Sequence, residues 1–193
     1  MKKQLILASS SPRRQELLKQ VHIPYSIRKP DVDESQIKVQ NPFEKVKQLA
    51  QLKGRHVEIL DSNEVILSAD TVVSFQNQIF EKPNNREEAY NMISDLSGSI
   101  HEVYSGVMIR SQDHEDVFVE KTEVEFWPLT NEEMKWYVST NDPFDKAGAY
   151  GIQSIGSMFV KQIKGDYYNV VGLPISKVVK ELKEFGIKPK YIS

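Results

Sequence analysis

The chain has no cysteine in its 193 residues. That excludes disulfides, thiolate metal sites and cysteine nucleophiles, and it gives no sign of an oxidising compartment. Long apolar runs are missing too. The run after Lys2 and Lys3 lasts only about four residues, too short for a signal peptide. Nothing approaches the length that crosses a bilayer. A cytoplasmic protein with no membrane partner is the expectation. Neither sign of charge dominates: 25 Lys and Arg stand against 27 Asp and Glu, for a net −2. A globally basic nucleic-acid face is therefore not expected. The four histidines, His22, His56, His101 and His114, show no H-E-x-x-H spacing, so structural or solvent-facing roles are expected. There is no G-x-S-x-G elbow. There is also no internal repeat or low-complexity linker, so residues 1–193 read as one domain. At 39% hydrophobic, such a chain can bury a sizeable core.

What is present is concentrated near the N-terminus. Leu5-Ile6-Leu7-Ala8 is apolar, Ser9-Ser10-Ser11 follow, then Pro12 and Arg13-Arg14. Gln15 to Val21 reads as helix, and Pro12 suits a first helical position, where no N–H is needed. A strand thus feeds a polar loop that opens a helix. The first N–H groups of that helix lack partners and sit at its positive end. With serine hydroxyls and two guanidiniums added, this is a place for phosphate. It is not a Walker loop, because no Gly-Lys-Ser/Thr follows. The plainer alternative is a surface helix with solvated arginines.

Further on, Lys29 to Pro42 reads as an irregular loop with the acids Asp31, Asp33 and Glu34. Phe43, Val46, Leu49, Ala50 and Lys53 recur at helical spacing. Lys53 on that stripe either snorkels at the helix end or points into a site. Val65 to Ala69 predicts a short strand, with Asp70-Thr71 at its end, where ligands sit in open α/β sheets. Val72–Phe75 and Ile79-Phe80 predict a hairpin around Gln76-Asn77-Gln78. Asn84 or Asn85 caps a helix that Gly98 stops. Two strands are expected at about 100–111 and 116–128. Thr130 to Glu133 is a capping-box signature for the next helix. Asn141 to Gln153 reads as loop, Ser157–Gln162 as strand, and Gly165-Asp166-Tyr167-Tyr168 as a turn into a strand reaching Val171. A final amphipathic helix is expected over Pro174–Phe185. The class is α/β, with an antiparallel subregion.

The polar residues at element ends are Ser9, Ser11, Arg13, Arg14, Glu34, Lys53, Asp70, Thr71, Lys82, Lys146 and Gln153. Cations outnumber acids, a balance that suits a polyphosphate carrying a divalent cation. Arginine and lysine match phosphate oxygens. Carboxylates hold hard cations or activate water. Taken singly, none is specific. The pair Tyr167-Tyr168 either stacks on a base or packs in the core.

Several motifs in order carry a family resemblance. They are Leu7-Ala8-Ser9-Ser10-Ser11-Pro12-Arg13-Arg14, Ala69-Asp70-Thr71, Lys82-Pro83, Leu96-Ser97-Gly98, Asp145-Lys146-Ala147-Gly148-Ala149-Tyr150-Gly151-Ile152-Gln153, and Gly165 to Pro174. Together they resemble the Maf family of nucleotide pyrophosphatases over nearly the whole chain. The resemblance implies a mixed twisted sheet with flanking helices, and two lobes around a cleft similar to that of inosine triphosphate pyrophosphatases. It implies hydrolysis of a nucleoside triphosphate to monophosphate and pyrophosphate with a divalent cation (Mg²⁺, Mn²⁺ or Co²⁺). Asp70 takes the position of the proposed base. Lys53 and Lys82 map to catalytic positions, and Glu34 joins Asp70 at the metal. Ser9, Ser11, Arg13, Arg14, Thr71, Lys146 and Gln153 map to substrate binding. Arg13, Thr71 and Gln153 match the specificity positions of the subgroup acting on dTTP and UTP. A sister subgroup acting on methylated GTP differs there. A homodimer is the family expectation. Two departures stand out: Ser68 replaces a common glycine, and Ser154-Ile155-Gly156-Ser157 replaces a Gly-rich stretch. The rival class is a nucleotide-binding regulator of septum formation acting through a partner, since overproduction of these proteins inhibits septation.

Overall fold

The structure, a computed structural model, describes residues 2–190. Among these, seven strands form one mixed sheet. The strands are β1 (Gln4–Leu7), β2 (Tyr25–Ile27), β3 (Glu64–Phe75), β4 (Gln78–Phe80), β5 (Ile100–Arg110), β6 (Glu115–Phe126) and β7 (Val160–Lys164). Their order is β2-β1-β3-β5-β6-β7, with β4 also on β3. β1 is parallel to both β2 and β3, and every other pairing is antiparallel. The helices are α1 (Pro12–Gln20), α2 (Pro42–Arg55), α3 (Arg86–Leu96), α4 (Asn131–Ser139), α5 (Tyr167–Val171) and α6 (Ile175–Glu184). None is long and apolar enough to cross a membrane.

The period-2 alternation of strands divides the core between two faces. Leu5, Leu7, Val65, Leu67 and Ala69 face α1 and α6, where Leu17, Leu18, Val178 and Leu182 are buried. Ile6, Ala8 and Ile66 point the other way and pack with Val57. α2 covers that second face. Ser68 Oγ donates to Ala50 O at 2.7 Å, so the serine at the usual glycine position pins α2 to β3. Farther along the sheet, a second cluster joins Val73, Val103 and Phe126 to α3 and α4. β3 and β5 run through both clusters, and the cleft opens where the clusters meet.

That opening arises from one feature of the ladder. β1 is in register with β3 only as far as Leu7↔Leu67, after which Ala8 N–H donates to Leu67 O. β4 begins on the same edge at Val73↔Phe80. Between Leu67 and Val73 this edge of β3 has no strand beside it, while β5 pairs along the other edge throughout. The expected strand end at Asp70 is thus corrected. β3 continues through Asp70 and Thr71, and it is the neighbouring strand that stops.

Three other expectations change. Tyr167–Val171 is a short helix rather than a strand. Asp166 Oδ1 accepts the Tyr168 N–H, and Gly172 ends the helix at φ 124°. The expected strand at Ser157–Gln162 begins later, at Val160, behind a 3₁₀ turn over Ile155–Phe159. Phe43 lies on the outer side of α2 and is 44% exposed. The 29–42 loop also holds a 3₁₀ turn at Glu34–Gln36, capped by the Asp33 carboxylate. The hairpin turn forms as expected, with Gln76 and Asn77 at φ 49° and 64°, the left-handed pair that two-residue hairpins require.

Candidate active site

A cleft of about 1380 Å³ lies along the open edge of β3. Eight basic and six acidic side chains line it, although the whole chain carries a net −2. The cleft therefore concentrates positive charge on a mildly acidic protein.

Asp70 and Thr71 are adjacent in β3, so their side chains leave opposite faces of the sheet. Both reach the cleft because no strand flanks that edge. Asp70 faces α2. Lys53 comes off the last turn of α2 and places Nζ 2.5 Å from Asp70 Oδ1 and 3.0 Å from Glu34 Oε2. Of the two readings of Lys53, the inward one is observed. The helix is held close enough by Gly106, the register partner of Asp70 on β5. A Cβ there would overlap the backbone carbonyl of Val46.

Thr71 faces the other way. Its Oγ1 lies 2.7 Å from Ser105 Oγ and accepts from Arg14 Nη2 at 3.2 Å. Arg14 also donates Nε to Gly172 O at 2.8 Å and Nη1 to Ser9 Oγ at 3.3 Å. It is therefore a brace across loop, strand and helix end as well as a cation at the cleft wall. Burial lowers its pKa, opposed by the charge of Asp70. Ser9 is buried, and its Oγ accepts the Ser11 N–H, shaping the loop before α1. Ser11 is the N-cap residue of α1, yet its side chain makes no capping hydrogen bond.

Another part of the lining comes from residues 145–154. Arg13 Nη1 reaches Asp145 Oδ2 at 2.9 Å, and Lys146 Nζ reaches Asp145 Oδ1 at 2.6 Å. Asp145 thus sits between two cations that suit phosphate. Burial raises the pKa of Asp145, but hydrogen bonds from Lys146 and Arg13 outweigh it, and the pKa lies below the usual carboxylate range. Asp142 shows the same balance, with Ser154, Tyr137 and Lys146 supplying the bonds. The chain reverses through Gly148 at φ 67° and Ala149 at φ 62°. Tyr137 Oη lies 3.0 Å from Ala149 O and 2.9 Å from Asp142 Oδ2, the two acceptors within reach of its single proton. Gln153 and the exposed Lys82 also line the cleft.

All eleven polar residues singled out at element ends thus reach one cleft. Tyr167 and Tyr168 do not line it. Tyr168 packs against the α1–α6 cluster and Tyr167 is 40% exposed, so core packing, not base stacking, describes Tyr168. Sequence reasoning did not single out Asp142 or Ser105, and gave Asp145 only as the start of a motif, with no role. Asp142 and Asp145 stand in the 142–153 run, but only their three-dimensional partners give them a role.

A mixed α/β sheet with a basic cleft at an open strand edge, carrying a carboxylate–ammonium pair, suits a polyanionic ligand. Comparison with known proteins is consistent with this class. The family model described as Maf-like protein matches residues 4–185, and the chain belongs to that family. It is 49% identical to a dTTP/UTP pyrophosphatase of Halalkalibacterium halodurans over 98% of this chain and 100% of that one. It is also 49% identical to a dTTP/UTP pyrophosphatase of Bacillus cereus, covering 96% and 97%. In fold it is similar to a HAM1 protein from Coxiella burnetii, with TM-score 0.55, 12% identity, and coverage of 94% and 99%.

Proposed function

We propose that this protein is a cytoplasmic nucleoside triphosphate pyrophosphatase acting on dTTP and UTP, with water attacking the α-phosphorus to release monophosphate and pyrophosphate. The observation that supports the reading is Asp70 at the open edge of β3, paired to Lys53, in a cleft that Arg13 and Lys146 also line. The names of the near-identical-length relatives supply the substrate class.

A divalent cation fits the residues present. Glu34 and Asp70 direct carboxylate oxygens at one ammonium, and among the described residues no cluster of three or more ligating side chains occurs. Two carboxylates with phosphate oxygens and waters suit Mg²⁺ or Mn²⁺ better than a closed protein cage would. When bound, such an ion supplies charge neutralisation and a more acidic water. The chain's own groups do the rest. The Asp70 carboxylate takes the proton of the attacking water. Lys53 holds that carboxylate in place through its ion pair. Arg13, Lys82 and Lys146 offset charge growing on the leaving pyrophosphate. Thr71 and Gln153 meet the nucleoside, with Gln153 offering both donor and acceptor to a pyrimidine edge.

The test is product identity with several substrates. dTTP and UTP should yield monophosphate plus pyrophosphate, with kcat/KM at least about tenfold above dATP and dGTP, roughly 1.4 kcal/mol of discrimination. Diphosphate plus orthophosphate as products would overturn the reaction. Binding without turnover would favour the regulator. Equal rates with purines would overturn the base preference alone.

A further inference from the structure

The two ends of a nucleotide meet one short stretch of chain. Lys146 and Gln153 both line the cleft, and on the nucleotide reading above the first takes the phosphate side and the second begins the base-side turn. Between them the backbone is strained, since Ala149 holds a left-handed conformation that costs a residue with a Cβ about 1–3 kcal/mol. Something outside the stretch must hold it. One carboxylate is bonded to residues on both sides of it.

Asp142 has its side chain only 12% exposed. Its Oδ2 accepts from Tyr137 Oη at 2.9 Å, from Ser154 Oγ at 2.9 Å and from Gly156 N–H at 3.4 Å. Its Oδ1 accepts from Lys146 Nζ at 3.3 Å, and its main-chain oxygen accepts from the same ammonium at 2.6 Å. One oxygen thus serves the base-side turn and the other the phosphate-side lysine. Every group around the carboxylate donates to it. Gly151 allows the arrangement, because a Cβ there would meet Lys146 Cε and Ser154 Oγ at 2.5 and 2.7 Å.

We propose that Asp142 is a positioning residue that couples Lys146 on the phosphate side to the turn after Gln153 on the base side, so that base preference and pyrophosphate affinity depend on one carboxylate. The proposal rests on the nucleotide reading given above. It assigns Asp142 no contact with the reacting atoms.

Asp142→Asn is the sharp perturbation. The amide keeps the shape, loses the charge, and turns one oxygen position into an NH₂ group that faces donors. Binding is measured calorimetrically with three probes: α,β-imido-dTTP, α,β-imido-dGTP and inorganic pyrophosphate. Turnover of dTTP is followed in parallel. In Asp142→Asn, pyrophosphate affinity should fall about tenfold, and the dTTP-over-dGTP analogue preference should fall at least about threefold, with the two losses appearing together. Ser154→Ala removes the shorter of the two base-side bonds to Asp142 and leaves the Lys146 side untouched. It should lower the preference and leave pyrophosphate affinity within about twofold. It is the deciding variant if Asp142→Asn does not fold. Tyr137→Phe removes a support of the turn but leaves Asp142 bonded to both sides, so its melting temperature should drop while the preference stays.

A folded Asp142→Asn protein with either readout at the wild-type value overturns the coupling. So does a Ser154→Ala protein with its preference intact, or a wild type that binds both nucleotide analogues equally. A wild type that prefers the dTTP analogue but does not hydrolyse dTTP overturns the activity and leaves the coupling standing. The two readings therefore fail separately.

Discussion

Gly106→Ala should damage both stability and activity through one contact. Gly106 lies opposite Asp70 on β5, and α2 crosses directly above it. A Cβ at Gly106 would sit 2.9 Å from Lys47 N and would overlap the Val46 carbonyl still more closely. Ordinary carbon contacts lie near 3.5–4.0 Å, so α2 must retreat by about 1 Å. Backbone cannot rotate away as a side chain can. Overpacking of this kind costs about 1–3 kcal/mol, and a helix carrying Val46, Leu49 and Ala50 into the core places this case at the upper end. The same shift carries Lys53 away from Asp70. A misplacement of about 1 Å at a reacting group can cost roughly 10²-fold in rate. Urea unfolding gives the first quantity, and kcat on dTTP at saturating substrate gives the second. Gly54→Ala is the control. Its Cβ would meet Ser68 Oγ at 2.5 Å and Met108 Sδ at 2.8 Å, and these are side chains that can yield. It should cost less on both counts. A Gly106→Ala protein within 0.5 kcal/mol of wild type, on the order of a neutral surface change, and fully active, would refute the close-packing argument.

Asp70→Asn should lower kcat about 10²–10⁴-fold, the usual cost of losing a general base, while calorimetric binding of α,β-imido-dTTP persists; near-normal turnover would remove Asp70 from the mechanism. Arg14→Lys keeps the charge but cannot span Gly172, Ser9 and Thr71, so denaturant stability should drop by about 1–2 kcal/mol; an unchanged midpoint would mean the brace carries no load. His101 is buried against Tyr150 and Phe126, and burial pulls its pKa from 6.5 down to about 3. The folded value lies below the unfolded one, so the unfolded chain takes up the proton first. This contribution is complete above about pH 6.5 and is lost as pH falls toward 3, reaching about 3 kcal/mol at pH 4. The difference in urea stability between wild type and His101→Gln at pH 7 and pH 4 isolates it, and a pH-independent difference would contradict it.

The sequence made the chemistry more legible than the backbone that presents it. Pro12 after three serines marked the start of α1, while the helical stripe ending at Lys53 left open whether its ammonium snorkels or points inward, which the pairing with Asp70 decides. Asp70-Thr71 looked like a strand terminus because two polar residues interrupt an apolar run. The strand continues because β5 pairs with it on the far edge, and the gap belongs to β1, a strand about sixty residues earlier in the chain. Local propensity favoured a strand at Tyr167–Val171, where aromatic and β-branched residues cluster. Tertiary bonds reverse it: Asn169 is buried and donates to Val103 O and Thr122 Oγ1, both at 3.0 Å. Asp142 and Gly106 carried no local signal, because one is defined by its long-range donors and the other by what approaches it.

The central claim is attack of water on the α-phosphorus, and the position of the solvent oxygen in the products tests it most directly. Hydrolysis of dTTP is run in ¹⁸O-enriched water, and the products are separated and weighed by mass spectrometry. The label should appear in the monophosphate, one oxygen per turnover, with the pyrophosphate unlabelled. Label in the pyrophosphate would place the attack on the β-phosphorus and contradict the account, whichever residue takes the proton.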